Sequence, residues 1–282
     1  MRLLHPSRLV VVLMLALLPA SHPLAAIAAF LPPSDAPSAP PAFVDLTSAD
    51  VVGAGRWQSD LVVPSARGLR ERLDGDVFGV PTLLRVGVGR SIELQAQADT
   101  PSILTSPAAF ESSADAIRRL HGFTDVSFGA KWRVRGGDAG WLPGVAWLAN
   151  VETTTGSPAF RGSDFRPSLR ATAEWELPSD MTFGVMPGVF RDRDDNGKHY
   201  AAGVLALTLG KAWTPRLHTF VELAGQRLAQ PRYSTYSGMG ADVDTGIAFR
   251  ATQSLQVAAV VSRGFMNTAQ DVRGGLSISA RF

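Results

Sequence analysis

The last eleven residues constrain the fold of this chain more than any other stretch. Residues 272–282 read VRGGLSISARF, and from Leu276 to the final Phe282 apolar side chains alternate with Ser or Arg. A period of two is typical of a β-strand that has one apolar and one polar face. A soluble sandwich can also end on such a strand, so the remaining segments must decide between a sandwich and a membrane barrel.

Eleven earlier segments repeat this alternation, and most are about ten residues long, as strands that cross a membrane are. The gaps after the even-numbered segments are short, and those after the odd-numbered segments are generally longer. Short turns at one end and long loops at the other are typical of outer-membrane barrels, in which an even strand count brings both chain ends to the turn side. The twelve segments are residues 53–63, 79–88, 91–99, 123–134, 141–153, 166–177, 181–191, 200–210, 217–228, 241–250, 255–263 and 272–282.

These observations predict an all-β fold, an antiparallel up-and-down transmembrane β-barrel of about twelve strands. Because backbone groups in hydrocarbon must all be paired, we expect the first strand to pair with residues 272–282. The six tryptophans and Phe282 are spread over many strand ends, where some of the rings could form interfacial girdles. An amphipathic last strand that ends in an aromatic residue resembles the segment read by the barrel-assembly machinery, so Phe282 is the candidate assembly signal.

The N-terminus reads as a signal peptide followed by a linker. Residues 1–28 combine Arg2 and Arg8 with an apolar stretch and end in the small-residue cleavage site Ala-Ile-Ala. That stretch is too short to span a bilayer comfortably. Residues 29–50 are rich in Pro, Ala and Ser, which predicts a semi-rigid periplasmic linker, with a short lumen insert as the alternative. Residues 51–282 form the predicted barrel.

The charge balance argues against a nucleic-acid partner. Removing Arg2 and Arg8 from the 27 basic residues leaves 25, against 25 acidic ones. A balanced chain lacks the basic face that nucleic acid requires. Cysteine is absent, which excludes disulfides and thiolate metal sites. We expect no cofactor and no metal site, since the stretch DRDDNG at residues 192–197 lacks the downstream glutamate of an EF-hand loop.

Several motifs resemble those of one bacterial family. Residues 81–87 (PTLLRVG) and the following Ile92-Glu93-Leu94 resemble the second hairpin of the outer-membrane family described as "MetA-pathway of phenol degradation". Residues 125–133 (DVSFGAKWR) are similar to its most recognisable strand, and the pair Thr155-Gly156 and the closing residues 274–282 agree as well. The resemblance covers residues 51–282 and implies an outer-membrane barrel of transporter type, often associated with uptake of aromatic compounds.

The charged residues of the strands are expected to face the lumen, because an Arg or Lys at the bilayer midplane costs about 2–4 kcal/mol. Both signs are interleaved, so no net field selects anions or cations. These residues either form ion pairs that fill the lumen or line a polar passage, since about twelve strands lie between the packed and the open barrels. The candidate lumen-lining residues are Arg85, Glu93, Lys131, Arg133, Arg170, Glu174 and Glu222.

The longest predicted loop, residues 100–122, is the candidate gate. Within it, residues 112–120 (SSADAIRRL) could form a short helix that begins at a serine cap and folds inward to narrow the passage. The alternative is an ordinary surface loop. The candidate gating residues are Ser112, Asp115, Arg118 and Arg119.

We expect a protein without enzymatic activity. The histidines outside the signal peptide, His121, His199 and His218, belong to no hydrolase motif, and no serine elbow is present. The sequence favours an outer-membrane channel for passive uptake of small molecules, with both termini periplasmic, and the family resemblance implies that these molecules are hydrophobic or aromatic. Its expected partners are the membrane lipids, the assembly machinery and the solute. The alternative is a plugged barrel with a structural or surface-binding role and no transport.

Overall fold

The computed structural model describes residues 48–64, 77–78, 80–99, 102–107, 117–137, 141–158, 160–162, 164–193, 197–228, 240–264 and 272–282. Strands dominate these residues, and no helix among them is long and apolar enough to cross a bilayer. The strands are β1 (Trp57–Pro64), β2 (Val77–Phe78), β3 (Pro81–Val88), β4 (Ile92–Asp99), β5 (Ser102–Pro107), β6 (Ile117–Gly122), β7 (Ser127–Arg135), β8 (Gly144–Glu152), β9 (Arg166–Leu177), β10 (Met181–Arg193), β11 (His199–Thr214), β12 (Leu217–Leu228), β13 (Gly240–Arg250), β14 (Leu255–Gly264) and β15 (Val272–Arg281).

Twelve of these strands close into a barrel, in the order β1-β15-β14-β13-β12-β11-β10-β9-β8-β7-β4-β3. The sheet closes because β1 pairs antiparallel with β15 on one edge and with β3 on the other. Beyond that ladder, the backbone N–H of Trp57 donates to Phe282 O at 3.0 Å, and Phe282 N–H donates to Trp57 O at 2.8 Å. The predicted twelve-stranded barrel and the pairing of its first strand with its last are confirmed.

The two ends of the barrel differ in their connections, as the sequence predicts. At the end that also carries Trp57 and Phe282, most hairpins close within a few residues, and we call this the turn end. The opposite end, the loop end, carries the generally longer connections, which include strands β2, β5 and β6. The turn-end connections are residues 89–91, 136–143, 178–180, 215–216 and 251–254.

Some predicted strand boundaries are wrong by a few residues. Residues 53–56 precede β1, because the chain turns at Gly55, which has a φ of +72°. The sequence also places residues 123–126 in a strand, but these residues bond to the loop after β8 and lie before β7. In the other direction, β11 continues past residue 210 to Thr214, with a register shift against β12.

The prediction of a helix over residues 112–120 is wrong for residues 117–120, the part of this stretch that the structure describes. Ile117–Gly122 is strand β6, which pairs with β5 in a small sheet of order β2-β5-β6. Arg118 lies opposite Ser106, and Arg119 lies opposite Thr105. Long-range pairing with β5 overrides the helix preference of so short a stretch. The other two candidate gating residues, Ser112 and Asp115, lie outside the described residues.

The outer face of the barrel suits a bilayer. Alternate side chains such as Val257 and Val261 on β14 are apolar and exposed. Aromatic rings gather near the turn end, where an amphipathic ring lies well at the membrane interface. Trp175 and Phe183 belong to this girdle, with ring centroids 5.8 Å apart. The exposed members of the girdle are Trp57, Trp132, Trp147, Trp213, Phe249 and Phe282.

Candidate functional site

The inner face of the barrel carries a cluster of buried charges on one side. Four buried side chains on neighbouring strands define it: Asp60 on β1, Arg85 on β3, Glu93 on β4 and Lys131 on β7. These strands follow one another around the wall, so the four charges lie on one side of the lumen. Both signs are present, as the sequence predicts, and the charges can therefore be paired within the protein.

A second region of the inner face is apolar, and we call it the apolar stripe. It is a contacting cluster of buried residues on β10, β11, β12 and β14: Met186, Ala206, Phe220, Ala224 and Val260. Gly246 on β13 leaves room for the ring of Phe220, since a Cβ there would come within 2.5 Å of it. Further towards the loop end, Phe190 and Val204 are half-buried on the same inner face.

A hydrogen-bonded chain of buried side chains crosses the place where the barrel closes. The guanidinium of Arg281 on β15 donates to Gln58 Oε1 at 2.9 Å, and Gln58 Nε2 donates to Asp60 Oδ1 at 2.9 Å. Arg85 Nη2 then pairs with Asp60 Oδ2 at 2.6 Å. The chain links β15, β1 and β3, so it fastens the closing strands to each other from inside.

The backbone that precedes β1 lies inside the lumen. We call residues 48–53 the inner segment, in which Ser48, Ala49, Val51 and Val52 are buried. Residues 48–50 are the end of the predicted linker, and they contact the barrel wall as the lumen-insert alternative proposes. The rest of the linker, residues 29–47, and the predicted signal peptide lie outside the described residues, and both stay predictions.

Lys131 and Glu93 hold the inner segment. Both side chains are fully buried, with Lys131 Nζ 3.8 Å from Glu93 Oε1. Lys131 Nζ donates to the backbone oxygens of Ser48 at 3.2 Å and Asp50 at 2.7 Å. Glu93 Oε2 accepts the backbone N–H of Val52 at 2.7 Å. A buried ion pair needs such additional bonds to offset the loss of water, so the segment and the ion pair stabilise each other.

Two further candidate residues also contact the inner segment. Arg133 Nη1 lies 3.3 Å from Asp50 Oδ1, and Glu174 Oε2 accepts the backbone N–H of Ala49 at 3.3 Å. The contacts with the segment therefore extend from β4 through β7 to β9. Because these strands adjoin one another through β8, the segment lies against one side of the wall near the turn end.

The remaining candidate lumen-lining residues are spread around the inner face. Arg85 belongs to the hydrogen-bonded chain that links β15, β1 and β3, which we call the closing chain. Arg170 is half-buried on β9. Glu222 is fully buried on β12, where it accepts the hydroxyl of Thr208 at 2.8 Å. Arg85, Glu93, Lys131 and Glu222 are thus closed off from water in this conformation. The assignment of all seven candidate residues to the lining of a passage stays a prediction.

Gly87 lets the inner segment reach the wall. A Cβ at this position would lie 2.1 Å from the carbonyl oxygens of Val52 and Gly53, closer than any real contact. The backbone of Gly87 also bonds to the turn before β1, with its oxygen accepting from Gly55 N–H at 2.9 Å. Only glycine permits so close an approach of two backbones here.

A second anchored contact lies at the loop end, in residues 123–126, which we call the seam segment. The buried carboxylate of Asp125 accepts the backbone N–H of Gly156 at 2.7 Å and of Gly162 at 2.6 Å. A Cβ on Gly156 would come within 2.9 Å of that carboxylate, and one on Gly162 within 2.8 Å. The two glycines therefore allow Asp125 to fix the seam segment to the loop after β8. No group of three or more metal-binding side chains occurs among the described residues.

The apolar stripe was missed by sequence reasoning, although the chain contains a signal for it. In residues 183–190 and 201–209, most odd-numbered and most even-numbered positions carry apolar or small side chains. Neither face of these strands is therefore purely polar. Apolar residues on both faces are typical of strands that are covered on both sides. This pattern predicts an apolar inner wall at β10 and β11.

The closed sheet, the apolar outer face and the interfacial girdle together define the class, a transmembrane β-barrel of the outer-membrane type. The sequence model of the family described as "MetA-pathway of phenol degradation" matches residues 42–282. The chain belongs to this family.

Solved structures show the same fold at low sequence identity. The COG4313 outer membrane channel from Pseudomonas putida F1 is 11% identical with a TM-score of 0.61, over 85% of this chain and 100% of that chain. The KdgM porin in complex with disordered oligogalacturonate is 7% identical with a TM-score of 0.50, over 80% of this chain and 99% of that chain. No curated protein sequence matches the chain significantly.

Proposed function

We propose that this protein is an outer-membrane channel for passive uptake of small hydrophobic or aromatic molecules. The observation that carries the proposal is the apolar stripe, in which Met186, Phe220 and Val260 face the lumen. A channel for hydrophilic solutes has a polar, water-filled interior. The stripe is buried in this conformation, and a neutral ring that enters the lumen there meets apolar side chains in place of charged ones. The family description, which refers to phenol degradation, supports the same class of solute.

The turn end is proposed to face the periplasm, with both chain ends on that side and the long loops outside. Short periplasmic turns and long external loops are the common arrangement in such barrels. In this orientation the C-terminal strand ending in Phe282 is available to the assembly machinery, and the inner segment narrows the periplasmic half of the lumen. Solute enters from the loop end and moves without chemical change.

The test is uptake of radiolabelled toluene by cells that express the protein, compared with cells that lack it. We expect faster uptake with the protein, and slower uptake when Phe190→Gln places an amide on the half-buried inner face near the loop end. Phe249→Gln, on the exposed outer face, is the matched control and should leave the uptake rate unchanged. Equal uptake with and without the wild-type protein contradicts the proposal.

The burial of Lys131 and Glu93 favours a second candidate, a sealed barrel with a structural or surface-binding role. Single-channel conductance in planar bilayers separates the two. Current steps in the intact protein support a channel. Silence in the intact protein and also after deletion of residues 48–53, together with no toluene uptake, supports the sealed barrel.

A further inference from the structure

The outer face of β10 changes from apolar to basic towards the loop end. Pro187 and Val189 are exposed there, and the next two outward positions on the same strand are Arg191 and Arg193, which are exposed as well. We call these two arginines the basic pair. Because an arginine in the middle of a bilayer is costly, the level of the basic pair in the membrane decides what it can contact.

The basic pair lies at the level of the lipid headgroups. Phe183, a girdle residue on the same strand, marks the near edge of the apolar band. At about 3.4 Å per residue, Arg191 and Arg193 are about 27 and 34 Å further along the strand. With a strand tilt of about 35–45°, they lie roughly 21 and 26 Å above Phe183, and the band is about 25 Å tall. In the proposed orientation, this far edge belongs to the outer leaflet.

The basic pair keeps hydrogen-bond donors for a ligand. Arg193 Nε donates to the backbone oxygen of Gly197 at 2.8 Å, which holds this guanidinium against the hairpin. Gly197 has a φ of +81°, and a Cβ there would come within 2.6 Å of Arg193 Nη2, so glycine suits both the turn and the contact. Among the described residues, neither the Nη groups of Arg193 nor the guanidinium of Arg191 have a hydrogen-bond partner. A guanidinium fork matches two oxygens of a phosphate group.

The described acids beside the basic pair have other partners. Asp192, between the two arginines, alternates to the inner face, where its Oδ2 accepts the hydroxyl of Tyr200 at 3.2 Å. Asp164 Oδ2 lies 3.3 Å from Nε2 of His199, the residue opposite Arg193 on β11. The alternation of the strand thus separates the two signs, with the arginines on the lipid side.

The surface below the basic pair is apolar and low. Val189 on β10 and Leu169 opposite it on β9 are both exposed. On the other side, Ala201 and Gly203 of β11 lie opposite Arg191 and Val189, and they carry only a methyl group and a hydrogen atom. A low apolar strip therefore runs from the arginines towards the middle of the membrane. A free anion would contact only the arginines, whereas a lipid has a phosphate for the arginines and an acyl chain for the strip.

We propose that Arg191 and Arg193, with the apolar strip below them, form a binding site for a phosphorylated lipid of the outer leaflet. The two guanidinium groups hold the phosphate, and an acyl chain lies along the strip beside Val189. Two outward positions on one strand are about 7 Å apart, so both side chains reach the same headgroup. This site is on the outside of the barrel, and it goes beyond the proposed uptake because it depends on no solute.

The test measures lipid binding to the refolded barrel in a neutral detergent by native mass spectrometry. The probes are lipid A, a phosphorylated glycolipid, and the same lipid after its phosphates have been removed. The variant Arg191→Ala with Arg193→Ala removes the basic pair. Arg90→Ala with Arg216→Ala, which removes two exposed arginines from turns at the other end of the barrel, is the matched control. Excess inorganic phosphate is added to the lipid complex of the wild type as a competitor.

We expect the loss of the basic pair to weaken lipid A binding about tenfold or more, because charge-assisted hydrogen bonds are lost. The control should bind as the wild type does, and inorganic phosphate should not displace the lipid. Equal binding by the wild type and the variant without the basic pair overturns the site. An equal loss in the control overturns it in favour of unspecific charge attraction, and displacement by inorganic phosphate overturns the lipid as the occupant.

If the variant without the basic pair does not fold, the wild type alone still decides. Tighter binding of lipid A than of the dephosphorylated lipid supports the site, and equal binding of the two lipids overturns it. Toluene uptake plays no part in this measurement, so the failure of the lipid site and the failure of the proposed function are separate outcomes.

Discussion

The carboxylate of Glu93 accepts the backbone N–H of Val52 at 2.7 Å, and both residues are fully buried. The bond joins the barrel wall to the inner segment, and Lys131 supports it from the neighbouring strand. One side chain thus takes part in a structural ion pair and also retains the peptide that narrows the lumen.

Glu93→Ala is expected to release the inner segment and enlarge the single-channel conductance. It also leaves Lys131 buried without its acid, and breaking a buried pair in this way costs about 3–5 kcal/mol of stability. Conductance steps in planar bilayers and the midpoint of urea unfolding check the two effects. Glu176→Ala, which removes an exposed acid at the turn end of β9, should change neither. A Glu93→Ala channel with wild-type steps would show that the segment stays in place without this bond.

Gly87→Ala should displace the inner segment without removing any charge. The added Cβ would collide with the carbonyl oxygens of Val52 and Gly53, so the segment must move away from β3. We expect faster tryptic cleavage after Arg56 in the folded barrel and larger conductance steps. Gly136→Ala, where a Cβ meets nothing within 4 Å, is the control. Equal cleavage rates in the two variants would contradict the close approach.

Arg85→Ala should weaken the closure of the barrel. Asp60 would keep a buried negative charge and lose the guanidinium that lies 2.6 Å from it. The expected loss is about 3–5 kcal/mol in the free energy of unfolding, measured by urea titration in lipid vesicles. Arg216→Ala in the exposed turn before β12 should stay within about 0.5 kcal/mol of wild type. A similarly small loss of unfolding free energy in both variants would mean that the closing chain contributes little to the stability of the barrel.

A charge introduced on the outer face should destabilise the barrel more in the middle of the apolar band than at its edge. Leu276 and Val272 on β15 are similarly exposed, at 55% and 53%, but Val272 lies opposite Arg263 near the loop end. Leu276→Arg should lower the unfolding free energy by about 2–4 kcal/mol, and Val272→Arg by about 0–1 kcal/mol. Urea unfolding in vesicles measures both. Equal losses would contradict this placement of the membrane.

The barrel could be predicted from the sequence because alternation reports which face each side chain takes. The alternating residues of β4 and β7, for example, predict that Glu93 and Lys131 point to the same side, and the structure places them 3.8 Å apart. The period of two says nothing about long-range contacts in which one partner is a backbone group outside the strands. The docking of Val52 on Glu93 and the bonds of Val126 to the loop after β8 therefore had no signal of this kind.

The inner face is harder to predict because a lumen imposes no single polarity. Lipid excludes charge from the outer face of every strand, whereas an inner residue can pair, pack or contact water. Phe220 and Glu222 are two residues apart on β12 and both face inward, one in the apolar stripe and the other bonded to Thr208. The neighbours on other strands, such as Thr208 on the adjacent β11, decide between these roles, and the local sequence does not contain them.

The inner segment is covalently continuous with β1, which fixes how its release must behave. Only residues 54–56 separate it from the wall. A segment on so short a tether stays at an effective concentration of about millimolar or higher near its binding site. Its return is therefore a first-order step that does not depend on the amount of protein in the membrane. Any opening at the turn end resets itself, without a partner protein and without an energy source.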